Sequence, residues 1–376
     1  MGINGKPLLR MAALTATVAL VAGIAAGCGS DSGGGGGSGS GGGSASGGGK
    51  GKIAFLLPES KTTRYEQQDR PNFIKRVNEL CPNCEVVYSN ADQDPAKQLQ
   101  QAEAAITKKV DVMVLDAVDV KAATGIVAKA KQAQIPVISY GRLVANADLD
   151  YYVSIDPFKV GQQQAQSLLD AVGGGTGKRV IMINGSPTDS NSAPYKKGAH
   201  DVLEKAGVKI VKEFDTPDWS PDKAQQEMDQ AISAVGAGGF DAVYVANDGM
   251  AGGAIAALKS AKIDPATKFV TGQDAEVAGL QRILAGEQLM TVYQPIKKIA
   301  AASAELAVPL AQGKTPPDIA KSKVDNGSKQ VPSALLDTIA ITKDNIASTV
   351  VKDGFVTAAQ ICTGKYKAAC AQAGIQ

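Results

Sequence analysis

Ten short apolar runs, most of them separated by amphipathic stretches, constrain this chain more than any other feature. They are KIAFLLP (52–58), EVVYSNA (85–91), VDVMVLDA (110–117), PVISYG (136–141) and YYVSID (151–156). RVIMING (179–185), KIVKEFDT (209–216), DAVYVAND (241–248), KFVTGQD (268–274) and LMTVYQP (289–295) follow. Most are continuously apolar, not alternating, so they predict strands buried on both faces. Helical periodicity fills the gaps at 94–108, 121–132, 157–171, 221–235 and 297–312. Strand and helix in alternation predict an α/β fold built on doubly wound parallel sheets.

One such core stops growing at roughly 250–300 residues. The body from Lys52 onward exceeds that, which predicts two lobes. YYVSID follows PVISYG without room for an ordinary helix and is read as the strand that leaves the first lobe. GQD (272–274) and the Pro/Gly-rich region near 326–332 are read as two further crossings. The expected division is 52–153 plus 275–325 for an N-terminal lobe, and 154–274 plus 326–376 for a C-terminal one.

The residues before Lys52 carry no fold. Lys6 and Arg10 precede an apolar stretch from Met11 to Ile24, too short to span a bilayer. Ala25-Ala26-Gly27-Cys28 closes it. This pattern predicts a secretory leader over 1–27, not a transmembrane helix. Small residues before a cysteine resemble a bacterial lipoprotein cleavage box, with Cys28 as the lipid anchor. Residues 28–51 are almost wholly Gly and Ser, a flexible tether with a reach of roughly 25 Å. The formal charge is +2, and it vanishes when Lys6 and Arg10 leave with the leader. No basic run follows, so nucleic acid is not expected as a partner.

Four further cysteines, Cys81, Cys84, Cys362 and Cys370, would meet an oxidising compartment. Three pairings are possible. Local pairs, 81 with 84 and 362 with 370, are preferred. Cys81-Pro-Asn-Cys84 could be a redox motif, but it follows the helical stretch Phe73–Leu80, where the helix dipole disfavours a thiolate. A four-cysteine zinc site is possible, though the spacing does not ask for one.

In open parallel sheets ligands sit beyond the carboxyl ends of the strands. Those ends are polar here. Arg64, Tyr65 and Asp69 follow the first run, Asp116 the third, and Arg142 the fourth. Asp189 and Asn191 follow RVIMING, and Asp218 and Trp219 follow KIVKEFDT. Asn247, Asp248, Asp274 and Gln294 stand at the last three ends. Arg offers several fixed donors, Asp offers acceptors, and Asn offers both, a set that suits the hydroxyls of a neutral polyol. Trp219, the only tryptophan, could cover an apolar ring face. Each also has a plain role open to it. Asn247, Asp248 and Asp274 could cap helices, Trp219 could be core, and Arg64 could be solvated.

Catalytic patterns are missing. The one histidine, His200, lies in a helical stretch and is read as a surface residue. No G-x-S-x-G stands outside the tether. GGGTGK (173–178) lacks the P-loop spacing and precedes a strand instead of following one. No cofactor, metal or turnover is expected.

The motifs RYEQQDRP (64–71), YGRLVANADLDYYVSID (140–156), GSPTDSN (185–191), AND (246–248) and GGAIAAL (252–258) are similar to one family. So are GQDAEVAGLQRILAGEQLMTVYQP (272–295) and VPSALL (331–336). From Lys52 to about Phe355 the chain resembles type I periplasmic-binding-protein sugar receptors of ABC importers, D-xylose- and multiple-sugar-binding proteins above all. The resemblance implies two lobes joined by a three-segment hinge that close on one monosaccharide. The loaded form would dock on a membrane permease, and the receptor would be a monomer held to the membrane only by its lipid. The implied sugar contacts are Arg64, Tyr65, Arg142, Asn191, Trp219, Asn247, Asp274 and Gln294. Arg142, Asp274 and Asn247 would hold ring hydroxyls and Trp219 would stack.

Three positions depart from the pattern. The family commonly reads Tyr-Asp-Arg where this chain has Tyr140-Gly141-Arg142, lysine where it has Gln294, and often tryptophan where it has Tyr65. These changes bear on which sugar is bound: a xylose-like pentose, a related sugar or another polyol. A chemoreceptor as a second partner is compatible with the same reading. Sugar-responsive repressors share the core but need a helix-turn-helix where the leader and tether stand. An exported enzyme on this scaffold would need a nucleophile–base pair or a metal cluster.

Overall fold

The computed structural model describes residues 50–375; the leader, Cys28 and nearly all of the tether lie outside the described residues. Strand β1 Gly51–Leu57 starts on the last residue read as tether. With β2 Cys84–Asn90, β3 Val112–Leu115, β4 Val137–Tyr140 and β5 Tyr151–Ile155 it forms a parallel sheet in the order β2-β1-β3-β4-β5. A second parallel sheet holds β6 Arg179–Asn184, β7 Lys209–Asp215 and β8 Ala242–Val245, in the order β7-β6-β8. Four late strands are shared out: β9 Thr291–Tyr293, β10 Ser322–Asp325, β11 Gln330–Leu336 and β12 Ile339–Ile341. β11 pairs parallel with β5 and antiparallel with β10, which extends the first sheet to seven strands. β12 pairs antiparallel with β9.

The helices are α1 Arg70–Leu80, α2 Pro95–Thr107, α3 Thr124–Gln132, α4 Pro157–Val172, α5 Ser192–Lys205 and α6 Pro221–Val235. After them come α7 Asp248–Ser260, α8 Val277–Leu284, α9 Ile296–Ala311, and the short α10 Ala358–Ile361 and α11 Lys367–Gln372. The first sheet shows why its strands are continuously apolar. Successive side chains point to opposite faces. In β1, Ile53, Phe55 and Leu57 pack on the side of α1 and α9, while Ala54 and Leu56 pack on the side of α2 and α3. Phe55 stacks on Phe73 of α1 at 4.1 Å and meets Tyr140 of β4 edge-on at 5.4 Å. From Ile53 onward neither face of β1 meets water, so no polar alternation is needed there.

KFVTGQD does not form a regular strand. Phe269, at φ 44°, interrupts the extended run, and only Val270 bridges to Val243 of β8. The segment still sits in the second sheet. Thr271 N–H donates to the Val243 carbonyl, while Leu289 and Val292 N–H groups donate to the carbonyls of Val270 and Gly272.

This pairing corrects two of the three expected crossings. The chain leaves the first lobe between β5 and α4, as read from YYVSID. It does not return at Asp274, whose segment is bonded to β8 on one side and to β9 on the other. It returns between Tyr293 and Ile296, where α9 packs back on α1 and β1. The last crossing lies between β11 and β12, because β11 belongs to the first sheet. The N-terminal lobe therefore includes 330–336, and the C-terminal lobe keeps 275–293.

Disulfides join Cys81 to Cys84 and Cys362 to Cys370. His200 is not a free surface residue: its ring nitrogens lie 2.7 Å from Glu204 Oε1 and 2.8 Å from Glu213 Oε1. Burial opposes its protonation, and the two carboxylates outweigh burial and raise its pKa.

Candidate functional site

The carboxyl ends of the two sheets face one another, and a small, closed-down cavity lies between them. Arg64, Tyr65, Arg142, Asn191, Trp219, Asn247, Asp274 and Gln294 all line it.

The first lobe supplies two arginines. Arg64 opens a single wide turn, Tyr65–Asp69, that runs into α1. Such π-turns often mark functional positions. The turn lets Arg64 reach Asp69 bidentately, Nε to Oδ2 at 3.0 Å and Nη2 to Oδ1 at 2.9 Å. Its remaining Nη1 donates to Gln294 Oε1 at 3.0 Å and stands 3.7 Å from Asp274 Oδ1. The Tyr140 hydroxyl also donates to Asp69, which fixes that carboxylate from the floor of the sheet.

Arg142 follows β4. Its Nη1 donates to the Ala117 carbonyl at 2.9 Å, and its Nη2 reaches the Tyr65 hydroxyl at 3.4 Å. Its Nε is 2.8 Å from Asp189 Oδ2 of the other lobe. Gly141, beside it, has φ +66°, a left-handed conformation that favours glycine. The Gly141 carbonyl accepts from Ser154 Oγ, the Tyr152 hydroxyl and Asn191 Nδ2.

The second lobe supplies the ring face and the capping groups. Asp218 and Trp219 both have positive φ, 61° and 52°. This strained turn, just ahead of α6, sets the indole in the cavity wall. Gly185 makes room for it: a Cβ there would lie 2.1 Å from Trp219 Cη2. Asp189 Oδ2 accepts from the indole Nε1 at 3.2 Å, and Tyr195 meets the ring edge-on at 6.4 Å. Trp219 is therefore a wall residue with a fixed orientation that also packs into the core of its lobe.

Asn247 does cap α7, its Oδ1 accepting from Met250 N–H at 2.9 Å. The cap uses only Oδ1, so Asn247 both caps α7 and lines the cavity. Asp248 has a different task. Its carboxylate accepts from Gln288 Nε2, Thr291 Oγ1 and Glu276 N–H, tying β9 and the start of α8 to α7. Burial lifts its pKa to about 8. Asp274 does not cap α8; its φ of 93° turns it toward the cavity, where Gln294 Nε2 donates to Oδ1 at 3.0 Å.

The electrostatics favour a neutral guest. Two guanidiniums share the cavity region with Asp69, Asp116, Asp189 and Asp274. Burial pushes Asp116 well up and Asp274 up to about 7, against the pull of Arg142 and Arg64 respectively. Both carboxyls move toward the neutral form, which brings the cavity toward charge balance.

Sequence reasoning left several lining residues out of the site. Asp189 was noticed as a strand-end residue, yet its double use by Arg142 and Trp219 appears only in three dimensions. Tyr195 could have been found as the residue one helical turn beyond Asn191. Gln273 precedes Asp274, and Ser154 lies on β5; nothing in their local sequence marks them.

Contacts cross the cleft beyond the cavity. Leu143 N–H donates to Ser190 Oγ at 2.7 Å, and Val120 N–H to the Thr188 carbonyl at 3.1 Å. Glu276 Oε1 accepts from Thr63 N–H at 2.9 Å. The lobes are closed on one another.

A periplasmic binding protein domain matches residues 53–315. The chain is 37% identical over 310 residues to the D-xylose-binding periplasmic protein of Haemophilus influenzae, covering 81% of this chain and 90% of that one. It is 32% identical over 330 residues to the multiple sugar-binding periplasmic receptor ChvE of Rhizobium radiobacter, covering 83% and 92%. Among solved structures, an ABC transporter solute binding protein from Clostridium phytofermentans with bound β-D-glucose superposes with a TM-score of 0.75. Its identity is 26%, with 82% of this chain and 99% of that one covered. A carbohydrate transporter solute binding protein from Chloroflexus aurantiacus in complex with D-glucose gives 0.75 at 28% identity, covering 83% and 98%. With this match and two α/β lobes joined by three crossings, the chain belongs to the periplasmic binding proteins and has their type I fold.

Proposed function

We propose that this protein is an extracytoplasmic receptor that captures one monosaccharide between its lobes and delivers it to an ABC import permease. The observation that carries the reading is the cavity itself. Two buried arginines, each braced by carboxylates, and one oriented indole face line a cleft whose charges approach balance. Sugar hydroxyls donate to the carboxylates and accept from the guanidiniums, while the indole covers the apolar ring face. The relatives are named for D-xylose and for multiple sugars, and the two structural neighbours hold glucose.

Arg64 and Arg142 belong to the first lobe, and Asn191, Trp219, Asn247 and Asp274 to the second. A ligand held by both sets binds the closed form better than the open one and shifts the population toward it. Release follows opening on the permease. The protein works as a monomer, tethered through lipidated Cys28, and turns nothing over. The ligand departs from xylose in its preferred hydroxyl pattern, since Gly141, Gln294 and Tyr65 change three lining positions. A chemoreceptor that reads the closed form is a compatible second partner.

Titration calorimetry of the tether-free body against pentoses, hexoses and polyols tests this. One sugar binds at one per chain and is recovered unchanged. If every sugar fails while an amino acid or nucleoside binds, the reading is wrong.

A further inference from the structure

Asp116 stands directly after β3, and its side chain is fully buried. Its backbone is locked: the N–H donates to the Leu56 carbonyl at 2.9 Å, and Gln98 Nε2 donates to its own carbonyl at 2.8 Å. The Gln98 Oε1 in turn accepts from Val118 N–H at 2.9 Å, so the strand tip has no freedom to withdraw. Yet neither carboxylate oxygen has a hydrogen-bond partner among the described residues. The nearest cation atom is Arg142 Nε, 3.7 Å from Oδ1, and that nitrogen sits closer to Asp189, at 2.8 Å.

A buried carboxylate with both oxygens unused is costly, and native structures seldom keep one without a reason. The reason lies at Gly141. A Cβ built on Gly141 would fall 2.4 Å from Asp116 Oδ2. Gly141 lines the cavity, and Asp116 fills the space that a side chain at 141 would take. Asp116 itself stands behind the lining, and the missing side chain at 141 leaves its Oδ2 directly beneath that lining position, beside Arg142.

We propose that Asp116 is a specificity-determining ligand contact, the acceptor for the sugar hydroxyl that lies over Gly141 and next to Arg142. This inference rests on the sugar reading above. It also makes residues 116 and 141 mutually exclusive carriers of one acceptor, since both carboxylates cannot occupy the same space.

The test uses the wild type, Asp116→Asn and Asp116→Ala, titrated with the best-binding sugar of the pentose and hexose panel and with its monodeoxy derivatives. Loss of a hydrogen bond that leaves a buried acceptor unsatisfied weakens binding by about five- to hundredfold. Removing one particular hydroxyl weakens wild-type binding by that factor. In the Asp116 variants the same deoxy sugar shows no further loss, whereas other deoxy sugars still do. Asp116→Asn is nearly isosteric and guards against misfolding, and the ligand-free thermal midpoint of both variants stays level or rises, since an unpartnered buried carboxylate is removed. A second arm places Gly141→Asp in each background. Alone it weakens binding, because the two carboxylates collide; with Asp116→Ala it recovers affinity, aspartate being among the residues that tolerate positive φ.

Two results overturn the assignment: variants that weaken every deoxy sugar by one common factor, or variants whose ligand-free midpoint falls while affinity holds. If the wild type binds no sugar at all, the sugar reading fails and this assignment with it. If it binds sugar and the cycle shows no coupling, only this assignment fails.

Discussion

Replacing Asp189 by alanine, next to the same change at Asp69, separates closure of the cleft from stability of the fold. Both aspartates hold a buried arginine. Asp69 binds Arg64 bidentately at 3.0 and 2.9 Å inside the first lobe and is fully buried itself. Asp189 lies 2.8 Å from Arg142 across the cleft and also accepts from Trp219 Nε1 at 3.2 Å. Breaking a buried pair from one side costs about 3–5 kcal/mol when the remaining charge stays buried. Asp69→Ala leaves Arg64 and the Tyr140 hydroxyl in that position whether the lobes are open or closed. At roughly 2–4 °C per kcal/mol, the ligand-free midpoint falls on the order of 10 °C.

Asp189→Ala has an escape. The pair exists only when the lobes meet, so opening lets water reach Arg142. The cost then falls on closure and not on folding. It amounts to about 1.5–3 kcal/mol for the lost charged contact, or about ten- to hundredfold in sugar affinity. The midpoint moves by less than about 3 °C, within one kcal/mol on the same scale. Differential scanning fluorimetry without ligand and calorimetry with it give both numbers. If Asp189→Ala lowers the midpoint as far as Asp69→Ala does, the pair holds the fold together and the closure argument is refuted.

Gly185→Ala would set a Cβ 2.1 Å from Trp219 Cη2 and 2.6 Å from Ser192 Oγ, so the indole must turn away. Sugar affinity drops by up to about tenfold, the scale of a lost stacking contact, while circular dichroism is unchanged; unaltered affinity would show that the indole face is not used. Asp274 gives a pH signature. Burial raises its pKa to about 7 in the unliganded protein, and a hydroxyl donating to its carboxylate favours the ionised form. The bound pKa is then lower, so affinity rises as pH climbs toward about 7 and is level above it. For the ligand-free fold the sign is opposite. The folded pKa exceeds the unfolded value of ~3.9, so this group's contribution to stability falls between about pH 4 and 7. Asp274→Asn flattens both profiles, and a calorimetric series from pH 5 to 8.5, with thermal melts alongside, reads them.

The strand-end groups were legible because parallel strands buried on both faces leave their polar residues at the tips. That logic gathered a longer set of polar ends, and the family resemblance narrowed it to eight side chains that the fold brings to one cavity. What it could not supply was the dependence of one residue on another far away in sequence. Asp189 matters through Trp219 and Arg142, and Trp219 fits only because Gly185 lacks a side chain. Gly141 read as an acceptor that had been lost, whereas the structure puts an Asp116 oxygen in that space. Simply adding an aspartate at 141 therefore does not restore the common pattern. The crossings were misread for a similar reason. Residues 268–274 form no regular strand, and β11 joins β5, a partner distant in sequence. Pairing of that kind leaves no local mark, while the helix caps did: Asp94 and Asp156 each accept from two backbone N–H groups at the start of their helices.

Trp219 is the only tryptophan in the chain and forms part of the cavity wall, so its fluorescence reports the site without interference. A titration of the tether-free body with D-xylose and D-glucose, extended to other monosaccharides, tests the central claim most directly. The account predicts a saturable change in Trp219 emission at one sugar per chain, lost in Arg142→Ala. No response to any monosaccharide, or a response that survives Arg142→Ala undiminished, would contradict it.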